Sequence, residues 1–572
     1  MTRPLLAALL AAGCVHAPAG APAVRPAPAA GPGEFAQFVD AYFAAAFAYS
    51  PSRATRTGFH EYDGKLEDLS RGAIEARIAQ LHAQQQQVEA LRRGPLSFDD
   101  AIDAQLIANQ IRGTLLELET LRTWEKNPMG YAGLAGGSID GLMKRDFAPA
   151  AERLRSVIAR LRQVPRVYAA ARENLKNPPR EFTDLAIRMA RGAVGFFEKA
   201  VDGWARPAAG GDAALLRDFE QANAGAAAAA RDFAQWLEKD LLPRSRGQYA
   251  IGADNYLAKL AADDMVELPL PDLLAKGEAQ LARDHAAFVE TARQIDAGKT
   301  PAQVMASLSD VHPAADDLIG AVARSVEAAR QFVVEHDLVT VPSEVRVKVA
   351  ATPPYARSGS FASMDTPGAF ETRATEAFYY ITPVEPDWDA KHQEEHLRLY
   401  NPWVVGMINV HEAYPGHYLE FLYAPRFPGK TRKLIHSSSN SEGWAHYAEQ
   451  MMLEHGFGGG DPKMKLAQLS EALLRDCRYV VGIQLHTAGW TVEQGARLFH
   501  EQCFQEPANA YEESRRGAYN PTYLYYTLGK LEIQDLARDY QAQKHATLKQ
   551  FHDAFVAQGA LPIPMVRKIL LR

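Results

Sequence analysis

A proline set between two histidines constrains this chain more than any other feature. Residues 411–417 read His-Glu-Ala-Tyr-Pro-Gly-His. A zinc-peptidase helix carries its histidines at i and i+4, one turn apart on one face. Here Pro415 occupies i+4 from His411, and the next histidine, His417, is at i+6. Six residues of a regular helix turn roughly 600°, which leaves the two imidazoles about 240° apart. Pro415 lacks an N–H and crowds the preceding turn, so the helix is expected to be interrupted there. Gly416 permits the dihedrals of a break or bulge. A kinked or bulged helix returns His417 to the side of His411. The competing reading is a helix that ends at Pro-Gly beside two incidental histidines.

A glutamate follows in Ser441-Glu442-Gly443-Trp444-Ala445. Two histidines and a downstream Glu form the ligand set of a catalytic zinc with one position left open. His411, His417 and Glu442 are therefore the expected ligands of one divalent ion per chain. Glu412, next to a ligand, is placed to take a proton from a metal-bound water. From Glu442, His446 and Glu449 follow at i+4 and i+7 on one helical face. Glu449 is expected to orient a ligand histidine from behind.

The rest of the chain reads as mainly α. Ile74, Ile78, Leu81, Val88 and Leu91 recur at helical spacing, as do apolar residues from Ile102 to Leu121 and Leu154 to Val164. Gln84–Gln87 reads as a solvated helix face and Ala226–Ala230 as helix, with Gly210-Gly211 and Leu242-Pro243 as punctuation. Alternating valines at 345–350 and Phe-Tyr-Tyr-Ile within 377–382 signal strands. They are expected to form a small sheet beside the site, either binding an extended substrate along an edge or serving as a bare hairpin. Helices resume near Glu394. With 572 residues and a net charge of −7, the chain can bury a large core and shows no basic block for nucleic acid.

The start of the chain is an address. A short basic start and the apolar run Pro4–Ala12 lead into Ala11-Ala12-Gly13-Cys14. That string resembles a bacterial lipoprotein cleavage box, with Cys14 as the lipidated residue. The alternative is an ordinary secretory signal. Residues 1–13 are the expected signal peptide and 14–33 an Ala/Pro-rich tether. Val15, not Asp, follows the cysteine, which points to the outer membrane. Only Cys477 and Cys503 remain. Neither has a zinc-type partner at short spacing. Both read as core residues, with a single bridge open to them in an oxidising compartment.

From Pro383 to Arg538 the chain resembles the bacterial family named domain of unknown function 885. The matching strings are 411–417, Glu442 through Glu449, Arg478-Tyr479-Val480-Val481, Leu485-His486-Thr487, and Pro521 through Lys530. Gly252–Tyr256 extends the likeness into the first half. Tyr418 and Gly482 stand where many members carry His and Asp. The resemblance implies a helical zinc-metallopeptidase-like body holding its metal by His, His and Glu, and the long helical first half, more than a metal site requires, is expected to make a deep cleft. Residues 34–250 would wall the cleft and 251–572 would carry the chemistry. His446 ranks below His417 because its position in the family is not consistently histidine. Tyr526 or His486 would steady the oxyanion at the scissile carbonyl. Arg478, Arg516 and Lys530 would hold substrate charge. The implied activity is hydrolysis of peptide bonds in short peptides at the cell envelope, on a lipid anchor. The rivals are a metal-dependent amidase on other amides and a non-catalytic envelope binding lipoprotein.

Overall fold

Apolar residues at spacings of three and four make most of the chain helical, and the caps fall where short polar side chains precede them. Ser70 accepts from the N–H of Ala73 and opens Arg71–Arg92, which buries Ile74, Leu81, Val88 and Leu91. Asp212 caps Ala213–Trp236, directly after Gly210 and Gly211 turn with positive φ. The computed structural model describes residues 33–353, 361–385 and 387–572. The expected signal peptide, Cys14 and all but the last residue of the tether lie outside them.

The largest core draws on both expected halves. It joins Phe35, Phe43, Ile107 and Ile111 to Met407, Val410, Trp444, Ile533 and Val566. A second core fills the helices of 128–241, with Leu142, Leu161, Phe197 and Phe233 at its centre. No helix among the described residues is long and apolar enough to cross a membrane.

One three-stranded sheet accompanies the helices. Its strands are β1 (Lys348–Ala351), β2 (Ala362–Asp365) and β3 (Phe378–Ile381), in the order β1-β3-β2. β1 runs parallel to β3 and β2 antiparallel to it. The parallel pair rules out a bare hairpin of the two expected strands. β1 starts three residues later than the valine pattern suggested. Tyr379 and Ile381 point into the core, while Phe378 and Tyr380 stack on the other face at 5.3 Å.

Two contacts fix helices of the second half of the chain. Ser438–Glu454 and Tyr525–Lys544 cross at Gly443 and Gly529, where a Cβ on Gly443 would lie 2.6 Å from the Gly529 backbone. Cys477 and Cys503 are both buried, as expected of core residues, and are also joined in a disulfide with a Cα–Cα distance of 6.4 Å. The bridge ties helix Pro462–Thr487 to helix Val492–Cys503.

Candidate metal centre

The helix Pro402–Glu412 starts on an Asn401 cap, with Pro402 in its first turn, and buries Val405, Met407 and Val410. It stops at Glu412, and a new helix, His417–Tyr423, begins after a turn. The Tyr414–Pro415 peptide in that turn is cis. The Gly416 N–H donates to Val410 O at 3.0 Å, and Trp444 Nε1–H donates to Pro415 O at 2.8 Å. The expected interruption is thus a full break between two helices. Gly416 has an ordinary φ of −76°, so glycine is not needed there for a left-handed turn. It is needed for space: a Cβ would sit 1.8 Å from the His411 carbonyl oxygen.

The break brings the histidines together. Their ring centroids lie 4.9 Å apart at an interplanar angle of 87°. Glu442 comes from helix Ser438–Glu454, which opens four residues before it on a Ser437 cap. Its Oε2 lies 3.3 Å from His411 Nε2 and 3.5 Å from His417 Nε2. The three ligand atoms all fall within 4.8 Å of one another. A tetrahedral zinc with bonds near 2.1 Å separates its ligand atoms by about 3.4 Å, so the two measured separations fit. The donor set, two imidazoles and a carboxylate, fits as well. Tyr418 takes no part, since its hydroxyl donates to Val345 O at 3.1 Å.

A buried frame sets the electrostatics. His411 Nδ1–H donates to Glu449 Oε1 at 2.7 Å, which leaves Nε2 facing the cluster. Glu449 also meets Arg475 at 3.3 Å and His446 Nδ1 at 3.2 Å. Burial alone would raise the Glu449 carboxyl, but Arg475, His446 and His411 outweigh it and hold it well below the carboxylate range. Burial would lower His411, yet its bonds to Glu442 and Glu449 raise it to about 9. His417 is raised in the same way, as Glu442 outweighs its burial. Burial opposes ionisation of Glu442, and the two histidines overcome it and hold this carboxyl well below 4.5. The carboxylates thus call for positive charge between the rings. A divalent ion held there would supply it in place of two protons. His446 stays behind the cluster, fully buried, with burial and Lys530 lowering it to about 3.

The cluster lies where two cavities meet. One, of about 690 Å³, is lined by Arg53, Arg56, Met364, Phe421 and Lys433. The other, of about 830 Å³, is lined by His411, Arg475, Arg478, Arg516 and Tyr526. Ala362, Glu412, His417 and Glu442 line both. Strand β2, which the sequence reading missed, therefore runs past the cluster. Its Ala-Ser-Met-Asp carries no β-branched residue to signal it.

Tyr526, Arg478 and Arg516 thus stand on a wall shared with the cluster. Arg478 is held by a two-pronged bond to Glu513 at 2.8 and 2.9 Å. Its guanidinium and that of Arg475 lie 5.2 and 5.5 Å from the Tyr526 ring centre. His486 and Lys530 are placed elsewhere, and neither lines either cavity. His486 is buried two turns beyond Arg478, with Nε2 bonded to Gly517 O at 2.9 Å. Burial lowers it to about 4, which keeps it neutral. Lys530 follows Tyr526 by one helical turn, is 1% exposed, and faces Asp284 at 3.6 Å. Arg475 and Glu513 were not singled out from the sequence. Arg475 was within reach, because it precedes Arg478 by three residues and shares its face.

Residues 51–570 match the family described as bacterial protein of unknown function, DUF885, and the chain belongs to that family. A solved structure from Shewanella oneidensis is 28% identical, with a TM-score of 0.79, over 94% of this chain and 100% of that one. Another, from Colwellia psychrerythraea, is 19% identical, with a TM-score of 0.78, over 94% of this chain and 98% of that one. Both are described as putative lipoproteins, the first of unknown function. No curated protein matches the chain.

Proposed function

We propose that this member of the DUF885 family is a zinc-dependent hydrolase that cleaves amide bonds in short peptides. The observation that carries the reading is the convergence of His411, His417 and Glu442 beside Glu412, where two cavities meet. These three residues would hold the ion. Zinc, when bound, supplies a Lewis acid that makes water nucleophilic at neutral pH and polarises a carbonyl.

The chain's own residues do the rest. Glu412 takes the proton of the attacking water and returns it to the leaving amine. Glu449 fixes the tautomer and ring orientation of His411, and Arg475 keeps Glu449 ionised. The Tyr526 hydroxyl donates to the oxygen that gains charge at the scissile carbonyl. Strand β2 offers backbone groups along which an extended peptide lies across the cluster. Cavities of about 690 and 830 Å³ accept a few residues on each side and exclude folded domains.

Elemental analysis with a peptide-library digest tests the reading. One zinc per chain, with cleavage abolished by chelator and restored by zinc, is the expected result. A protein that takes up no metal, or cleaves equally without it, refutes it. The address is part of the proposal: a lipid on Cys14 would hold the enzyme in the cell envelope, at the outer membrane. Labelling with a fatty-acid analogue, lost in Cys14→Ser, checks that.

A further inference from the structure

The larger cavity holds four arginines, and three of them are spoken for. Arg398 meets Asp310 at 2.7 Å, Arg475 meets Glu471 at 2.8 Å, and Arg478 is clasped by Glu513. Arg516 differs. Among the described residues, no hydrogen bond or ion pair holds its guanidinium. It is half-buried and lies 5.3 Å from the centre of the Tyr523 ring.

The sequence explains why it is left over. Arg516 follows Glu513 by three residues on helix Pro507–Tyr519, so the two share a face. Both Glu513 oxygens are already taken, Oε1 by Arg478 and Oε2 by Arg478 and the Tyr523 hydroxyl. Glu506, also on this cavity, stands at the start of the same helix. Ten residues of helix put it about 15 Å from Arg516 along the axis. Glu513 steadies its charge from beyond bonding distance, but no direct bond among the described residues satisfies the N–H groups of this half-buried guanidinium. Its planar fork matches one ligand chemistry best, a carboxylate held by two parallel bonds.

We propose that Arg516 binds a carboxylate of the substrate and so selects which peptides are cut. This rests on the metallohydrolase reading above. The carboxylate is either the free C-terminus of the peptide or an Asp or Glu side chain. In both cases Arg516 contacts a part of the substrate away from the bond that breaks. It is a specificity residue, and the chemistry stays with Glu412 and the cluster.

The test uses the full, zinc-loaded protein and matched peptides. One pair ends in a free acid or an amide, and a second pair carries an internal Glu or Gln. Wild type should favour the acid member of one pair by about tenfold in kcat/KM, mainly through KM. The pair that shows the preference identifies the source of the carboxylate. In Arg516→Gln the ratio should fall to near one, and Arg516→Lys should recover part of it. Zinc content and circular dichroism show that each variant is folded. Calorimetric binding of the same pairs to Glu412→Gln, with and without Arg516→Gln, reads the preference without turnover. Binding preference without cleavage would sink the hydrolase reading and spare this one. Cleavage with equal rates on both members of each pair, or a preference that survives Arg516→Gln, would overturn it.

Discussion

Replacing Gly416 by alanine is the sharpest challenge to the way the two histidines are brought together. The new Cβ would start 1.8 Å from the His411 carbonyl oxygen and 2.5 Å from its carbon. Real Cβ atoms essentially never come closer than 3.0 Å, so the turn must open by at least 3.0 − 1.8 = 1.2 Å. The atom it strikes belongs to His411, and the residue that moves immediately precedes His417, the two histidines of the cluster. Metal sites tolerate ligand displacements of only about 0.2 Å. Zinc affinity should therefore fall by more than the roughly 10–100-fold that loss of a supporting contact costs. The overpacking itself should cost about 1–3 kcal/mol, which a body with two large cores can absorb. Competition against a chromogenic chelator measures the affinity, and a thermal melt of the metal-free protein measures the fold. Gly137→Ala is the control: no atom lies within 4 Å of its added Cβ. Zinc bound by Gly416→Ala as tightly as by wild type would refute the close-approach argument.

Three further outcomes are expected. Glu412→Gln should lower turnover by at least about 10²-fold while zinc stays bound, measured by peptide cleavage beside elemental analysis; near-normal turnover would remove Glu412 from the mechanism. Converting both Cys477 and Cys503 to alanine should cost about 3.5 kcal/mol, given a separation of 26 residues, and shift the urea midpoint down; an unchanged midpoint would mean that the bridge constrains nothing. In the metal-free protein, His411 is raised from 6.5 to about 9, so its contribution is complete below pH 6.5 and lost as pH rises through 9. That loss amounts to about 3 kcal/mol at most and should appear as a falling Tm from pH 6.5 to 9 in chelator-treated protein. Zinc-loaded protein, with no proton there to lose, should show no such fall.

The cluster of His411, His417 and Glu442 was legible because residue type carries it. Two histidines, an adjacent Glu and a later Glu have few other uses in that order. The route to convergence was half legible. Pro415 announced the break, but the need for Gly416 comes from a carbonyl across the turn, which no local pattern displays. The position of His486 and Lys530, away from both cavities, was hidden for a related reason. Each shares a helix with a cavity residue, and short motifs do not fix how many turns of that helix reach the cavity. Strand β2 left no trace because its four residues pair through the backbone and have mixed side chains. The strand at 378–381 was visible because its alternating side chains face a core on one side.

The meeting of two cavities at a single cluster bears on what happens after a bond is cut. The residues common to both chambers, Ala362, Glu412, His417 and Glu442, sit at the partition. On the proposed hydrolase reading, a chain severed there would leave one fragment in each chamber, and neither would have to pass the other to escape. Each fragment would then act as an inhibitor of its own chamber alone. The two should be able to occupy the protein together, and the order in which they depart should be random.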